Sequence, residues 1–121
     1  MKKLLFTTLV TGLAFILFAS LGTNNNQKNH KIPKDVMKVL DKSCYGCHNS
    51  ESRNEDAREE LSFDKWDKLT PIKKLSKLKE IKETVVEEEM PPQRFLKKYP
   101  DKKLSEKETQ ILMDWVKKEM K

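Results

Sequence analysis

The sequence predicts an all-α fold. Apolar residues after position 31 recur every three or four positions in three segments, and helix-starting residues stand ahead of those segments. No segment sustains the apolar–polar alternation of a half-buried strand. Charged and hydrophobic residues each make up 36% of the chain, which is too little apolar supply for a large dry core but enough for narrow helical stripes. At 121 residues the chain is one domain, and multidomain enzymes and doubly wound sheets are excluded by size.

The first segment lies apart from that pattern. Lys2 and Lys3 precede an apolar run from Leu4 to Phe18, followed by the small residues Ala19, Ser20 and Gly22. Basic, apolar, then small is the order of a secretory signal peptide. With Ser20 and Gly22 at the −3 and −1 positions, cleavage falls before Thr23. The alternative for residues 1–22 is an N-terminal membrane anchor, because about 20 apolar residues suffice to span a bilayer. Either way the rest of the chain is expected to work outside the cytoplasm, periplasmic and either soluble or tethered to the inner membrane. Losing residues 1–22 removes two lysines and no acid, lowering the net charge from +6 to +4. What remains is small and polar, the kind of scaffold that needs a staple such as a disulfide, metal or cofactor.

Residues 23–31, TNNNQKNHK, read as a flexible tether, leaving residues 32–121 as the folded domain. A first helix is expected from about Pro33 to Ser43, since proline suits the first helical turn and Val36, Val39 and Leu40 follow helical spacing. The polar stretch NSESRNEDAREE that follows His48 has no apolar period and is expected to be a loop ending in a short helical turn. Leu61, Phe63 and Trp66 form an apolar patch. The second clear helix opens with Thr70 as N-cap and Pro71 just inside. Its expected buried stripe is Ile72, Leu75, Leu78, Ile81, Val85 and Val86, with lysines between, and Met90-Pro91-Pro92 is expected to stop it. Gln93 to Pro100 is a partly ordered connector. Ser105 and Glu108 form a capping box for the last helix, whose stripe is Ile111, Leu112, Trp115, Val116 and Met120.

The two cysteines of the chain fall in Cys44-Tyr45-Gly46-Cys47-His48. This is CxxCH, the attachment signature of c-type haem. Two thiols three positions apart can each add to one vinyl group on the same side of a porphyrin, and the adjacent imidazole then lies beneath the iron. Gly46 lets the backbone approach the macrocycle. Three other readings fit less well. A Cys44–Cys47 disulfide closes a loop too small to remove much chain entropy. A thioredoxin-type site wants βαβ surroundings. Structural zinc wants about four ligands.

A six-coordinate iron needs a second axial ligand. The candidates are His30, Met37, Met90, Met113 and Met120. His30 lies in the tether, and Met37, Met113 and Met120 fall on helical stripes, where methionine ordinarily fills core. Met90 stands at a helix-to-loop break ahead of two stiffening prolines and is the expected ligand; plain packing is its alternative.

These residues are similar to a known group, the small exported haem-binding domain proteins related to cytochrome c. The stretches that carry the resemblance are SCYGCHNSES (43–52), AREELSFDKW (57–66), EEEMPPQRFLKKYPDKKLSEKE (87–108) and ILMDWVK (111–117). The resemblance implies a cytochrome c-like bundle of about three to four helices around one haem c. In it Cys44 and Cys47 bind the haem covalently through two thioethers, and His48 and Met90 ligate iron. The chain departs from that pattern in the polar NSESRNED after the haem motif and in Ala57, where a glycine is common.

Arg58 is a candidate partner for a haem propionate, and Trp66 and Trp115 are either core aromatics or packing for the haem edge. The lysines at 97, 98, 102 and 103 are placed to steer an acidic redox partner. Nucleic acid is excluded as a partner, because acids are interleaved with the bases and no nucleic-acid motif is present. No nucleophile, general base or substrate pocket can be named, so the chain is not read as an enzyme. The expected function is that of a mono-haem c-type cytochrome in extracytoplasmic electron transfer. The alternative is a haem-based small-ligand sensor or peroxidase-like protein with an open distal site.

Overall fold

The computed structural model describes residues 31–121. The expected leader, His30 and all of the expected tether except Lys31 lie outside the described residues. Five α-helices follow one another: α1 (Lys34–Ser43), α2 (Glu55–Glu60), α3 (Pro71–Val86), α4 (Gln93–Lys98) and α5 (Glu106–Glu119). Short 3-10 turns cover Phe63–Lys68 and Pro100–Lys102, and there is no strand among the described residues. The all-α expectation holds. The polar segment after His48 ends in the expected helical turn, α2, and the partly ordered connector after Met90 forms a short helix of its own, α4.

Helix α5 is the centre of the packing and lies against both α1 and α3. The core draws Val36, Val39 and Leu40 from α1, and Leu61, Phe63 and Trp66 from the turn region. Leu78, Ile81 and Val85 come from α3, and Leu112, Trp115 and Val116 from α5. Burial of each such side chain contributes about 1.5–3 kcal/mol before entropy is counted. Trp66 and Trp115 lie with ring centroids 5.4 Å apart in this core, which is the plain-core alternative.

The α3 stripe is narrower than its periodicity suggests. Leu78, Ile81 and Val85 are buried, whereas Ile72 is 81% exposed and Leu75 and Val86 also face solvent. Helix α5 offers one contact stripe, and the two ends of α3 overhang it. Met120 is likewise exposed, because the last turn of α5 runs past its partners.

Helix ends follow their local chemistry. Asn54 caps α2 by accepting from the Ala57 N–H at 3.1 Å. Thr70 accepts from Lys73 at 3.3 Å. The Ser105–Glu108 capping box is present in full, satisfying two N–H groups that the first turn of a helix otherwise leaves open. The end of α3 departs from expectation. The helix stops at Val86, before the prolines, because Glu88 takes a left-handed φ of 56°. That conformation commonly ends helices and is usually left to glycine. No helix among the described residues is long and apolar enough to cross a membrane.

Candidate functional site

Helix α1 delivers the CxxCH motif. The Cys44 and Tyr45 N–H groups both donate to the Leu40 carbonyl, at 2.8 and 2.7 Å, which closes the helix. The Cys44 carbonyl then accepts from the N–H of Cys47 at 3.1 Å and of His48 at 3.0 Å. Both sulfurs and the imidazole are therefore carried by one compact turn. Two contacts from the end of α1 fix that turn to the rest of the fold. Ser43 Oγ donates to the Lys102 carbonyl at 2.7 Å, and Lys42 Nζ pairs with Glu108 at 2.7 Å. The Lys42 ammonium, with the Ser105 N–H second, holds the Glu108 carboxyl below the usual carboxylate range.

The polar segment after the motif has a definite task. Asn49 donates to the Tyr45 carbonyl at 2.6 Å and accepts from the Glu51 N–H at 2.9 Å, while Ser50 hydrogen-bonds Asp64. Arg58 donates to the Ser52 carbonyl at 2.8 Å and pairs with Glu55. These bonds seat α2 beside His48. The His48 Nδ1 lies 3.0 Å from the Ala57 carbonyl oxygen and 3.1 Å from that of Leu61. Both neighbours can only accept, so Nδ1 is the donor, and in the neutral ring Nε2 keeps the lone pair with which imidazole binds metals. Phe63 stands edge-on to the imidazole, with ring centroids 6.1 Å apart, and its N–H donates to the His48 carbonyl at 3.0 Å.

Met90 arrives from the other side of the chain. The Thr84 carbonyl accepts from the Glu89 N–H at 2.9 Å and from the Met90 N–H at 3.1 Å, turning the backbone back beneath the end of α3. Met90 is 37% exposed. Cys44, Cys47, His48 and Met90 all line one cavity of 520 Å3, walled also by Pro91, Pro92, Phe95 and Tyr99. A second cavity of 290 Å3 shares Cys44, His48 and Met90 and is backed by Leu40, Phe63, Ile81 and Leu112. Both fall within or close to the range of about 300–1,000 Å3 usual for small-molecule and cofactor sites.

The cysteines are free thiols. Burial, with the charge of Cys47 second, pushes the Cys44 thiol up to about 12, so it is protonated at neutral pH. Among the described residues no group of three or more His, Cys, Asp or Glu side chains is disposed to hold a metal ion, and the fold contains no βαβ unit there.

Comparison with known families gives a match to the haem-binding domain over residues 52–118. The chain belongs to the haem-binding domain family. The match spans α2 to α5 and includes Met90 but begins after His48. Neither a curated protein nor a solved structure matches the chain. The site suits the family's cofactor: apolar and aromatic walls, two free thiols, and a histidine whose ring is oriented with one nitrogen available.

Other expected site residues fall elsewhere. Met37, Met113 and Met120 line neither of the two cavities, and His30 lies outside the described residues. Arg58 faces Ser52 and Glu55 rather than the cavity of the two cysteines. Trp66 and Trp115 border neither cavity. A Cβ at Gly46 would meet nothing within 4 Å, so nothing in the fold of the polypeptide itself requires glycine there. Neither Asn54 as a cap nor the Ala57 carbonyl as the partner of His48 was expected from the sequence, where Ala57 stood out only as a departure from the family pattern. Asn54 carries a legible signal, a capping residue ahead of Glu55-Asp56, whereas Ala57 acts through its backbone carbonyl and carries none.

Proposed function

We propose that this haem-binding domain protein is a mono-haem c-type cytochrome acting in extracytoplasmic electron transfer. One haem c would be held by Cys44 and Cys47, and its iron by His48 and Met90. The observation that carries the reading is the meeting of these four side chains on one cavity while His48 Nδ1 is committed to two backbone carbonyls.

Cys44 and Cys47, both free and both on the cavity, would hold the haem through one thioether each. Helix α2 keeps the His48 ring from rotating and makes its Nε2 the donor to metal. Hydrogen bonds of this kind typically matter 10–100-fold in metal affinity. A Met90 thioether as second ligand raises the potential relative to two histidines. When bound, the haem supplies a one-electron Fe(III)/Fe(II) couple. Leu40, Phe63, Ile81, Leu112 and Phe95 exclude water from the site, and a dry shell favours the less charged reduced form. Lys97, Lys102 and Lys103 follow close behind the Met90 turn and steer an acidic redox partner. Residues 1–22 send the chain to the periplasm, where it is soluble or stays tethered to the inner membrane. No side chain at the cavity is assigned a catalytic step.

The test is the absorption spectrum of periplasmically expressed protein in both oxidation states. The wild type gives low-spin ferric iron with the weak long-wavelength band of methionine–iron bonding, and Met90→Ala abolishes that band. A band that survives Met90→Ala removes Met90 as the ligand. High-spin iron in the wild type replaces this reading with an open distal site, that of a small-ligand sensor or a peroxidase-like protein.

A further inference from the structure

The walls of the 520 Å3 cavity carry two cations, Arg94 and Lys98, and no acid. Neither forms an ion pair with a carboxylate among the described residues. The other basic side chain bordering the site, Lys77 on the second cavity, already pairs with Glu60 and Glu80. Arg94 and Lys98 lie four positions apart on α4, which sets them side by side on one face. Like charges in that relation repel and weaken the helix, and a bound anion would relieve the repulsion. Lys98 Nζ is held 5.4 Å from the centre of the Tyr99 ring, itself a wall of the same cavity.

We propose that Arg94 and Lys98 bind the two propionate carboxylates of the haem. The proposal rests on the haem reading above and adds a dicarboxylate-binding pair to it, in place of the sequence candidate Arg58, which faces Ser52. The charges match in number and sign, since a haem presents two carboxylates and these walls present two uncompensated cations. A carboxylate brought beside apolar walls is costly unless paired. Guanidinium meets it with a planar fork and ammonium with a point charge. The smaller cavity of 290 Å3 offers an already paired Lys77 and two acids, which repel a carboxylate. The porphyrin therefore enters with its vinyl edge toward Cys44 and Cys47 and its acidic edge toward α4.

The experiment uses the full chain carrying Cys44→Ala and Cys47→Ala, which leaves binding reversible, titrated with ferric protoporphyrin IX and with its dimethyl ester. Arg94→Gln with Lys98→Gln weakens the free-acid porphyrin about 10-fold or more and leaves the ester unchanged. An equal loss for both porphyrins, or no loss for either, overturns the proposal. His48→Ala tests the ligation reading separately, because it weakens both porphyrins whatever α4 does. If the cysteine-free chain does not fold, the intact loaded protein decides the matter through its midpoint potential. Removing the two cations shifts the ferric–ferrous balance toward ferric, and a tenfold shift is 59 mV downward. An unchanged potential overturns the proposal.

Discussion

Asn54→Ala is the substitution that most sharply separates the task of α2 from mere loop structure. Helix α2 has six residues, too few to persist without packing or caps, and its one side-chain cap is the 3.1 Å bond from the Ala57 N–H to Asn54. Loss of an N-cap of this type costs about 1 kcal/mol. Since 1.4 kcal/mol is a factor of ten, the helix opens about fivefold more often. That opening moves the Ala57 and Leu61 carbonyls that hold His48 Nδ1 at 3.0 and 3.1 Å. Amide hydrogen exchange should therefore quicken about fivefold at Arg58 and Leu61, whose N–H groups bond to Asn54 and Ala57, with the amides of α5 unchanged. Affinity for ferric haem should fall several-fold in parallel. Asn54→Ser, which restores a capping oxygen, should recover both. Faster exchange with unaltered haem affinity would refute the claim that α2 orients His48. Failure of serine to rescue would refute the capping argument.

Three further outcomes follow from the packing. Leu112→Ala removes a fully buried side chain at the centre of the core and should cost about 3 kcal/mol by denaturant titration. The figure lies near the low end for such changes, because Leu112 already borders the 290 Å3 cavity. Glu108 is held below its ordinary range by Lys42, so its contribution is full above the unfolded carboxylate pKa and is lost as pH falls through the folded one. Lys42→Met should lower stability by about 1 kcal/mol at neutral pH and flatten the acid limb of the stability–pH curve. Unfolding followed between pH 7 and 3 checks both. Glu88→Gly relieves a left-handed residue at φ 56° and should raise the melting midpoint by a few degrees, the equivalent of about 1 kcal/mol; a fall would show that the Glu88 side chain has an unrecognised role.

Much of this fold is written in one-dimensional signals. The three longer helices announce themselves through apolar period and through Thr70-Pro71 and Ser105–Glu108, because capping and periodicity are local properties. What periodicity cannot tell is where a partner helix ends. Ile72 and Val86 keep the spacing of a stripe but overhang α5, and Met120 does the same at the other end. Nor does the presence of Met90-Pro91-Pro92 reveal that Glu88 has already broken α3.

The site divides in the same way. Cys44, Cys47, His48 and Met90, the residues proposed to attach and ligate haem, are legible because covalent attachment and metal ligation demand particular side chains at particular spacings. The carbonyls of Ala57 and Leu61 are not, since any residue supplies a carbonyl and only the path of the chain aims it. Arg58 illustrates the converse: the right side chain for a propionate is turned by the path of NSESRNED toward Ser52. Arg94 and Lys98 could have been noticed as an i,i+4 pair of like charges after the MPP segment, a pattern that asks for an anion.

The most direct test of the account is the intact mass of the full chain expressed with periplasmic haem-attachment machinery, measured after extraction with acidified acetone. With haem fixed by both thioethers, the polypeptide is heavier by one haem and keeps its colour, and the chain carrying Cys44→Ala and Cys47→Ala returns to the bare mass. A wild-type polypeptide at its bare mass, with both sulfurs free or joined to each other, would contradict it.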